Sequence, residues 1–420
     1  MEQTNHLILN KKLTWFEQKC RALILNTLNK MKDACIEIHE NTYSEICGDP
    51  KASLKAHMHI HDASIYTDII KGGSIAAAEG YLSQKWTSTD LTQLVRVLAR
   101  NQKALDSVEN QSSWLNTLQN KLLNFKNANT LGGSKKNILA HYDLGNDLYT
   151  RFLDPEMMYS CALYSDEHTT LDEAQRLKLK SICDKLNLTS EDHLVEIGTG
   201  WGGLAIYAAT HYGCQVTTTT ISDAQFDYAQ KRVNKLGLNE KITLLKKDYR
   251  LLEGQYDKLV SIEMIEAVGH DFMSEFFKQC NNLLKPNGKM LIQAITIADQ
   301  RYDNYRKNTD FIQKYIFPGG CLPSIAVISE HIALCTDMMI DNVTDMGLHY
   351  ARTLSDWRKN FDKNWADIQP FGFDDQFKRL WHYYFAYCEG AFIERVISTH
   401  HIVARKPEYK DANDETILTY

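Results

Sequence analysis

The chain is short of the features that mark several large classes of protein. No apolar run approaches the ~20 residues that span a membrane as a helix. The stretch Met1–Lys12 lacks the apolar core of a signal peptide. Positive charge is not in excess: 47 Lys and Arg stand against 53 Asp and Glu, and the net charge of −6 gives no support for a nucleic-acid partner. The ten cysteines are scattered without paired metal spacing, so they read as reduced thiols of a cytosolic protein, mostly in the core. No internal repeat is visible. What remains is the composition of an ordinary soluble globular protein of 420 residues, long enough for two domains or for one large domain with an appendage.

Two regions of different character follow one another. In the first, Leu13–Met31 has helical spacing, and Cys35–His39, Tyr43–Cys47 and Ser53–His61 read as short strands between turns. Ser74–Ser83 and Asp90–Leu105 read as helices, the second with Asp90 as N-cap. A polar, glycine-containing stretch around residues 126–140 reads as a linker. From His141 onward, strand signals at Leu194–Ile197, Gln215–Thr220, Ile242–Lys246, Asp257–Ile262 and Lys289–Ala294 alternate with helical stretches, which predicts a parallel sheet covered on both faces. A last strand pair is expected near Met338–Leu348 and Val396–Arg405, with a long aromatic helix, Phe373–Ile393, between them. The expected organisation is an α/β protein: a small N-terminal α+β domain (residues 1–125), a linker (126–140), a larger domain (141–406) and a polar tail (407–420).

The most telling stretch is Leu194-Val195-Glu196-Ile197-Gly198-Thr199-Gly200-Trp201-Gly202-Gly203, a buried strand, a glycine turn and a helix start. Glycine lets the backbone turn sharply and approach a ligand closely, and a helix start offers unpaired N–H groups. Gly198, Gly200 and Gly203 satisfy G-x-G-x-x-G, a pattern shared with dinucleotide-binding proteins. A dinucleotide site wants an acid at the end of the next strand to hold the ribose. That strand ends Thr217-Thr218-Thr219-Thr220, and the acid, Glu196, lies before the glycines instead. The pattern Val-Glu-Ile-Gly-x-Gly-x-Gly resembles the form used by S-adenosylmethionine (SAM) methyltransferases. A tight turn with no ligand is the plain alternative.

Further motifs carry a resemblance to the cyclopropane-fatty-acyl-phospholipid synthase family, which includes the mycolic acid cyclopropane synthases. They are His141-Tyr142-Asp143-Leu144-Gly145-Asn146, Tyr159-Ser160-Cys161-Ala162, Thr220-Ile221-Ser222-Asp223-Ala224-Gln225, Glu263-Met264-Ile265-Glu266-Ala267-Val268-Gly269, Lys314 to Pro323, His349 to Leu354 and Glu389-Gly390-Ala391-Phe392. The resemblance covers about Asn137 to Arg405, with a fainter likeness at Gly73–Tyr81.

The resemblance implies a Rossmann-like SAM-dependent methyltransferase domain that transfers a one-carbon unit to the cis double bond of unsaturated acyl chains in membrane phospholipids. An alkene is a poor nucleophile, and methyl transfer to it leaves a carbocation that must be kept dry and then deprotonated. In the family, bound bicarbonate removes the proton. Residues matching its pocket are Cys161, Glu266, Gln293, the backbone of Ile295, and Tyr350, whose ring face also suits a cation. A shared proton would let Glu266 hold the anion without like-charge conflict. Positions matching the SAM site are Tyr159, Ser160, Glu196, Gly198, Gly200, Gly202, Thr220, Ile221, Gln225 and Tyr249. The resemblance further implies a cytoplasmic enzyme in peripheral contact with the inner face of the membrane, and a homodimer.

Three positions depart from the family pattern: Gln293 and Ala267 where many members carry histidine, and Tyr249 for a tryptophan. Glutamine hydrogen-bonds but carries no charge, so ring closure and formation of a methylene branch both stay open as outcomes. A lipid-binding protein without catalysis is the reading from another class. His57, His59 and His61 share one face of a strand, and His400 and His401 adjoin on another. Both sets read as strand residues with histidines outward, and no metal is expected. Phe311–Pro323 reads as an apolar loop able to cover an acyl tunnel, and Lys121, Lys126, Lys135 and Lys136 as residues able to touch anionic headgroups or simply as a solvated cluster.

Overall fold

The computed structural model describes residues 13–41, 43–105 and 145–410. The expected linker, the motif start His141–Leu144, the four lysines beside the linker and the tail beyond residue 410 lie outside the described residues. The chain forms two compact units, interleaved along the sequence.

The larger unit comprises Asn127–Arg306, Phe317–Ile368 and Ile397–Tyr420. It contains strands β5 (His193–Ile197), β6 (Gln215–Thr219), β7 (Ile242–Leu245), β8 (Tyr256–Ile262), β9 (Leu284–Ile297), β10 (Met339–Asp345) and β11 (Ile397–Arg405). They make one seven-stranded sheet in the order β10-β11-β9-β8-β5-β6-β7. The five strands from β9 to β7 are parallel, and β11 and β10 add an antiparallel edge. All seven strands fall where the sequence pattern predicts them. The fold class read from the sequence is the one observed.

The sheet is apolar on both faces, as a doubly covered parallel sheet must be. Val195, Ile197, Leu259, Met290 and Ile292 pack on one face with Phe276, Phe277, Ile328 and Ile332. Leu194, Val260, Leu291 and Val403 pack on the other with Leu179, Ile182, Leu204 and Val233. Alternation along each strand therefore assigns Glu196, Gln293 and His401 to this second face, and all three are buried there. The helix Leu171–Lys185 supplies Leu179 and Ile182 to the same face and buries Gln175 and Lys178 as well. A polar stripe thus runs through an otherwise apolar layer.

Connectivity positions the site. The chain leaves β5 for β6 and β7 on one side, then crosses to β8 on the other. Open α/β sheets bind ligands at such a switch point, beyond the strands' carboxyl ends.

The smaller unit comprises Met1–Lys126, Lys307–Ile316 and Gln369–Val396. Its four-stranded sheet has the order β2-β1-β3-β4, with β1 Cys35–Glu40, β2 Tyr43–Gly48, β3 Lys55–Ile60 and β4 Trp86–Thr87. Helices Trp15–Leu28, Ser64–Leu82 and Leu91–Arg100 accompany it. The first and third lie where expected, and Asp90 caps the third, accepting from Gln93 N at 3.0 Å. The second starts ten residues before the predicted Ser74, because a break at Gly73 (φ 59°) divides one helical run in two.

The sequence places residues 141–406 in one domain, whereas the aromatic helix Asp375–Ile393 belongs to the smaller unit. Thr92 Oγ1 donates to Glu389 at 2.9 Å, and Arg96 and Arg100 both pair with Glu394 at 2.8 Å. Gly390 is required at this helix contact, since a Cβ there would stand 2.7 Å from Val95 Cγ1. The segment expected to form an apolar loop is also divided. Phe311–Tyr315 is a capped helical turn of the smaller unit, with Phe311 buried against Tyr383, and Phe317–Pro323 belongs to the larger unit.

Candidate active site

Gly198 (φ 101°), Gly200 (φ 53°) and Gly202 (φ 85°) carry the chain from β5 into the helix Gly203–His211 through conformations that favour glycine. Gly203 is needed for closeness: a Cβ would meet Met158 Sδ at 2.5 Å and Glu156 O at 2.6 Å. Gly200 differs, for a Cβ there would meet no heavy atom within 4 Å. The turn therefore leaves open space at Gly200, which suits the approach of a cofactor, while Gly202 and Gly203 pack against protein. Glu196 sits beneath it, accepting from Thr218 Oγ1 at 2.6 Å, and burial pushes its carboxyl up to about 8.

The other sequence-predicted cofactor residues lie at neighbouring strand ends. Thr220 and Ile221 follow β6. Thr220 Oγ1 donates to Gln225 Oε1 at 3.0 Å, and Ser222 caps the next helix by accepting from Gln225 N. Tyr249 follows β7 in a short helical turn, edge-on to Phe276. Ser160 Oγ accepts from Lys178 Nζ at 2.7 Å. Tyr159 lies 5.2 Å from the Trp357 ring and 6.2 Å from Phe317, with Tyr149, Phe152 and Tyr350 contributing to the same aromatic group.

Three of the five residues assigned by resemblance to an anion pocket, Cys161, Gln293 and Tyr350, converge on a carboxylate of the chain itself, and the other two, Glu266 and Ile295, pair with each other. Glu263 Oε1 accepts from Cys161 N at 2.9 Å and from Gln293 Nε2 at 2.7 Å, while Oε2 accepts from Tyr350 Oη at 2.7 Å. Glu263 directly follows β8 and holds φ at 49°, unusual for a residue with a side chain. Strain of this kind costs of order 1–3 kcal/mol and collects at functional sites. Burial pushes the Glu263 carboxyl up, and the bonds from Tyr350, Cys161 and Gln293 pull it back. The donors expected for bicarbonate are thus already engaged. The Cys161 thiol is fully buried and held well above its ordinary range by burial, so it is neutral.

Behind Glu263 runs a directed hydrogen-bond chain. Lys185 Nζ lies 3.0 Å from His401 Nδ1, and His401 Nε2 lies 2.9 Å from Gln293 Oε1. A lysine ammonium only donates, so it takes the Nδ1 lone pair and leaves the proton on Nε2. That proton is donated to the Gln293 carbonyl, which fixes the amide N–H toward Glu263. Burial and the two lysines, Lys185 and Lys178, hold His401 neutral. The sequence reading set His401 aside as a strand histidine. Its place opposite Gln293 comes from the β9–β11 register, and strands a hundred residues apart reveal no register locally. Lys178 was missed for a similar reason: it is fully buried among Glu263, Asp154, Cys161 and Glu196, and burial lowers its ammonium to about 8. Glu263 had a readable signal, an acid directly at the carboxyl end of a central strand.

Glu266 and Ile295 pair with each other. Ile295 N donates to Glu266 Oε1 at 2.5 Å, and Glu266 Oε2 is buried without a hydrogen-bond partner. Burial first, then the neighbouring Glu263, push the Glu266 carboxyl from its ordinary 4.5 up to about 8. Folding therefore takes up a proton at neutral pH. This contribution is full below the unfolded value and is lost as pH rises through about 8. Glu266→Gln lacks it, so its melting temperature relative to the parent should improve steadily between about pH 5 and pH 8.5. Thermal denaturation across that range checks this, and a pH-independent difference would show an ordinary, ionised Glu266.

A parallel sheet with a glycine turn at its switch point and an enclosed carboxylate beside it is the framework of a nucleotide-cofactor enzyme, and its relatives make it a SAM-dependent methyltransferase. Residues 131–402 match the family described as mycolic acid cyclopropane synthetase, and the chain belongs to that family. It is 36% identical over 82% of its length to the tuberculostearic acid methyltransferase of Mycobacterium tuberculosis, covering 81% of that protein. It is 35% identical over 84% of its length to the cyclopropane-fatty-acyl-phospholipid synthase of Escherichia coli, covering 88% of that protein. Among solved structures, the cyclopropane synthase MmaA2 from Mycobacterium tuberculosis aligns with TM-score 0.60 and 28% identity over 65% of this chain and 98% of its own. The mycolic acid cyclopropane synthase CmaA1 complexed with SAH and CTAB aligns equally well. The activity is SAM-dependent cyclopropane or methyl transfer on lipids, and the non-enzymatic reading falls away.

Proposed function

We propose that the protein transfers the methyl group of SAM to the cis double bond of an unsaturated phospholipid acyl chain, and that the Glu263 carboxylate removes the proton that completes the reaction. The observation that carries this is the convergence of Cys161 N, Gln293 Nε2 and Tyr350 Oη on Glu263. SAM supplies an electrophilic methyl group. The glycine turn with Glu196, Thr220, Ile221 and Gln225 forms its cradle, Tyr249 flanks the adenine, and Tyr159 and Ser160 complete the site.

The methyl–sulfur bond breaks as a carbon–carbon bond forms to one alkene carbon, leaving a cation on the other. The aromatic group around Tyr159, Tyr350 and Trp357 offers ring faces to that cation and excludes water. A proton then leaves the added methyl for Glu263, and its bonding pair closes the cyclopropane ring. Gln293, held by His401, and Lys178 offset part of the cost that burial sets on the Glu263 anion. Bicarbonate, expected from the resemblance, has no step in this scheme.

A methylene branch is the second reading. It is favoured by the departure of Gln293 from the histidine of the bicarbonate pocket and by the likeness to a tuberculostearic acid methyltransferase, a relative named for methyl transfer and not for a ring. A hydride shift before proton loss gives that product. Incubation with SAM and vesicles of unsaturated phospholipid, followed by hydrogenation, separates the two, because a methylene double bond is reduced under mild conditions that leave a ring intact.

Among the described residues, no helix is long and apolar enough to cross a membrane. Contact with lipid is assigned to the smaller unit, and a cytoplasmic homodimer remains the expected setting. The helix Trp15–Leu28 exposes Trp15 (72%) and Phe16 (50%), and such rings insert at lipid–water boundaries. Replacing both with serine should weaken binding to anionic phospholipid vesicles by about ten-fold in a sedimentation assay, with little change in melting temperature. Unchanged vesicle binding would move the contact elsewhere.

A further inference from the structure

We propose that Glu37, His39 and His57, on the outer face of the four-stranded sheet, form a binding site for a divalent transition-metal ion of the zinc type. The site lies in the smaller unit and takes no part in the methyl-transfer chemistry described above.

The sheet register builds it. Strands β1 and β3 run parallel, with Glu37 beside His57 and His39 beside His59. Ile36, Ile38, Ala56 and Ile60 turn inward and are buried, which sends the alternate residues outward. The donor atoms then converge. His39 Nε2 is 3.5 Å from His57 Nδ1 and 3.6 Å from Glu37 Oε1, and His57 Nδ1 is 3.4 Å from Glu37 Oε2. Ligand atoms ~2.0–2.1 Å from one tetrahedral ion stand roughly 3.3–3.4 Å apart, so these spacings are close to those a metal imposes.

The surroundings orient the donors. Ser44 Oγ lies 2.6 Å from His39 Nδ1, the outer hydrogen bond that commonly fixes a metal-ligating imidazole. The His59 ring stacks on His39 at 4.7 Å and 14°, so it supports the ring without pointing at the shared centre. His61 is engaged elsewhere, 2.8 Å from Thr87 Oγ1. With Nδ1–H donated to Ser44 Oγ, Nε2 of His39 is the nitrogen left to take a metal ion, on the side where His57 and Glu37 lie. Two imidazoles and one carboxylate suit zinc, cobalt or nickel and not magnesium or calcium, which take oxygen ligands. The three side chains are part-exposed, so an ion can enter and solvent can fill the fourth position. A bound ion would tie β1 to β3 and stabilise this unit.

The test uses the full chain, freed of metal and of any affinity tag. Zinc is titrated calorimetrically, and cobalt is titrated with its visible absorption recorded. One site should appear, with tetrahedral or five-coordinate cobalt bands and no thiolate charge-transfer band. His39→Ala, His57→Ala and Glu37→Gln should each weaken zinc binding by at least about ten-fold, since even outer-shell changes cost that much. His61→Ala should leave it unchanged, and zinc should raise the melting temperature of the parent but not of the variants. Circular dichroism of the metal-free variants shows whether each is folded, and Glu37→Gln keeps the shape of the side chain it replaces. Absence of stoichiometric binding, equal binding by folded variants, or a thiolate band from a cysteine site would each overturn the proposal.

Discussion

Glu263→Gln is expected to lower kcat by about 10²–10⁴-fold, the span for loss of a general base, while SAM affinity stays within about two-fold. Glutamine keeps the shape, so Oε1 can still accept from Cys161 N and Gln293 Nε2. Its amide nitrogen turns toward Tyr350, whose hydroxyl can reverse and accept. What is lost is the ability to take a proton. Burial raises the pKa of Glu263, which strengthens it as a base, and Lys178 with three hydrogen bonds opposes part of that rise. The parent's kcat should therefore fall on the acid side as Glu263 protonates, and the variant's residual rate should lack that limb. A variant with near-parental kcat and the same acid limb would remove Glu263 from the proton transfer.

Gly200→Leu is expected to weaken SAM binding by at least about 100-fold in a protein that still folds. The two halves of that expectation rest on different observations. At φ 53° a leucine costs ~1–2 kcal/mol, tolerable for one residue of a large unit. Its side chain has no protein atom within 4 Å of its first carbon, so it projects into the cradle and not into the core. Overpacking against a bound ligand adds ~1–3 kcal/mol or more. Gly203→Leu is the contrasting variant, because there the clash is with Met158 and the Glu156 carbonyl, and stability falls instead. Calorimetric SAM titration beside thermal denaturation separates the two. Intact SAM binding by Gly200→Leu would place the cofactor away from this turn.

The larger unit was legible because its signals are local. Each strand of the parallel sheet is a short apolar run, and the glycine turn declares itself within ten residues. Tyr350, Glu266 and Gln293 were reachable through family motifs. Less legible were features made by register between distant strands. Gln293 meets His401 through the β9–β11 ladder, and neither residue signals the other in sequence. Lys178 and Lys185, seven apart on one helix, look like solvated charges until the helix is laid on the sheet. The aromatic helix Asp375–Ile393 follows the methyltransferase strands in sequence, yet it packs with Leu91–Arg100 because Gly390 and Glu394 fit that helix. The histidine face of β3 was visible, but the residues that turn it into a converging set, Glu37 and His39, come from the neighbouring strand. Bicarbonate was expected because the residues around that position matched. Glu263, already quoted within a motif, carries the carboxylate that those residues hold.

The central claim is methyl transfer to a lipid alkene with proton loss to a carboxylate of the protein. SAM labelled with a trideuterated methyl group, supplied with unsaturated phospholipid vesicles in bicarbonate-depleted buffer, tests it most directly by mass spectrometry of the acyl chains. The account predicts a product that gains one carbon and keeps two of the three deuterium atoms, at a rate that added bicarbonate does not change and that Glu263→Gln lowers by about 10²–10⁴-fold. A product formed only when bicarbonate is restored, or one that keeps all three deuterium atoms, would contradict it.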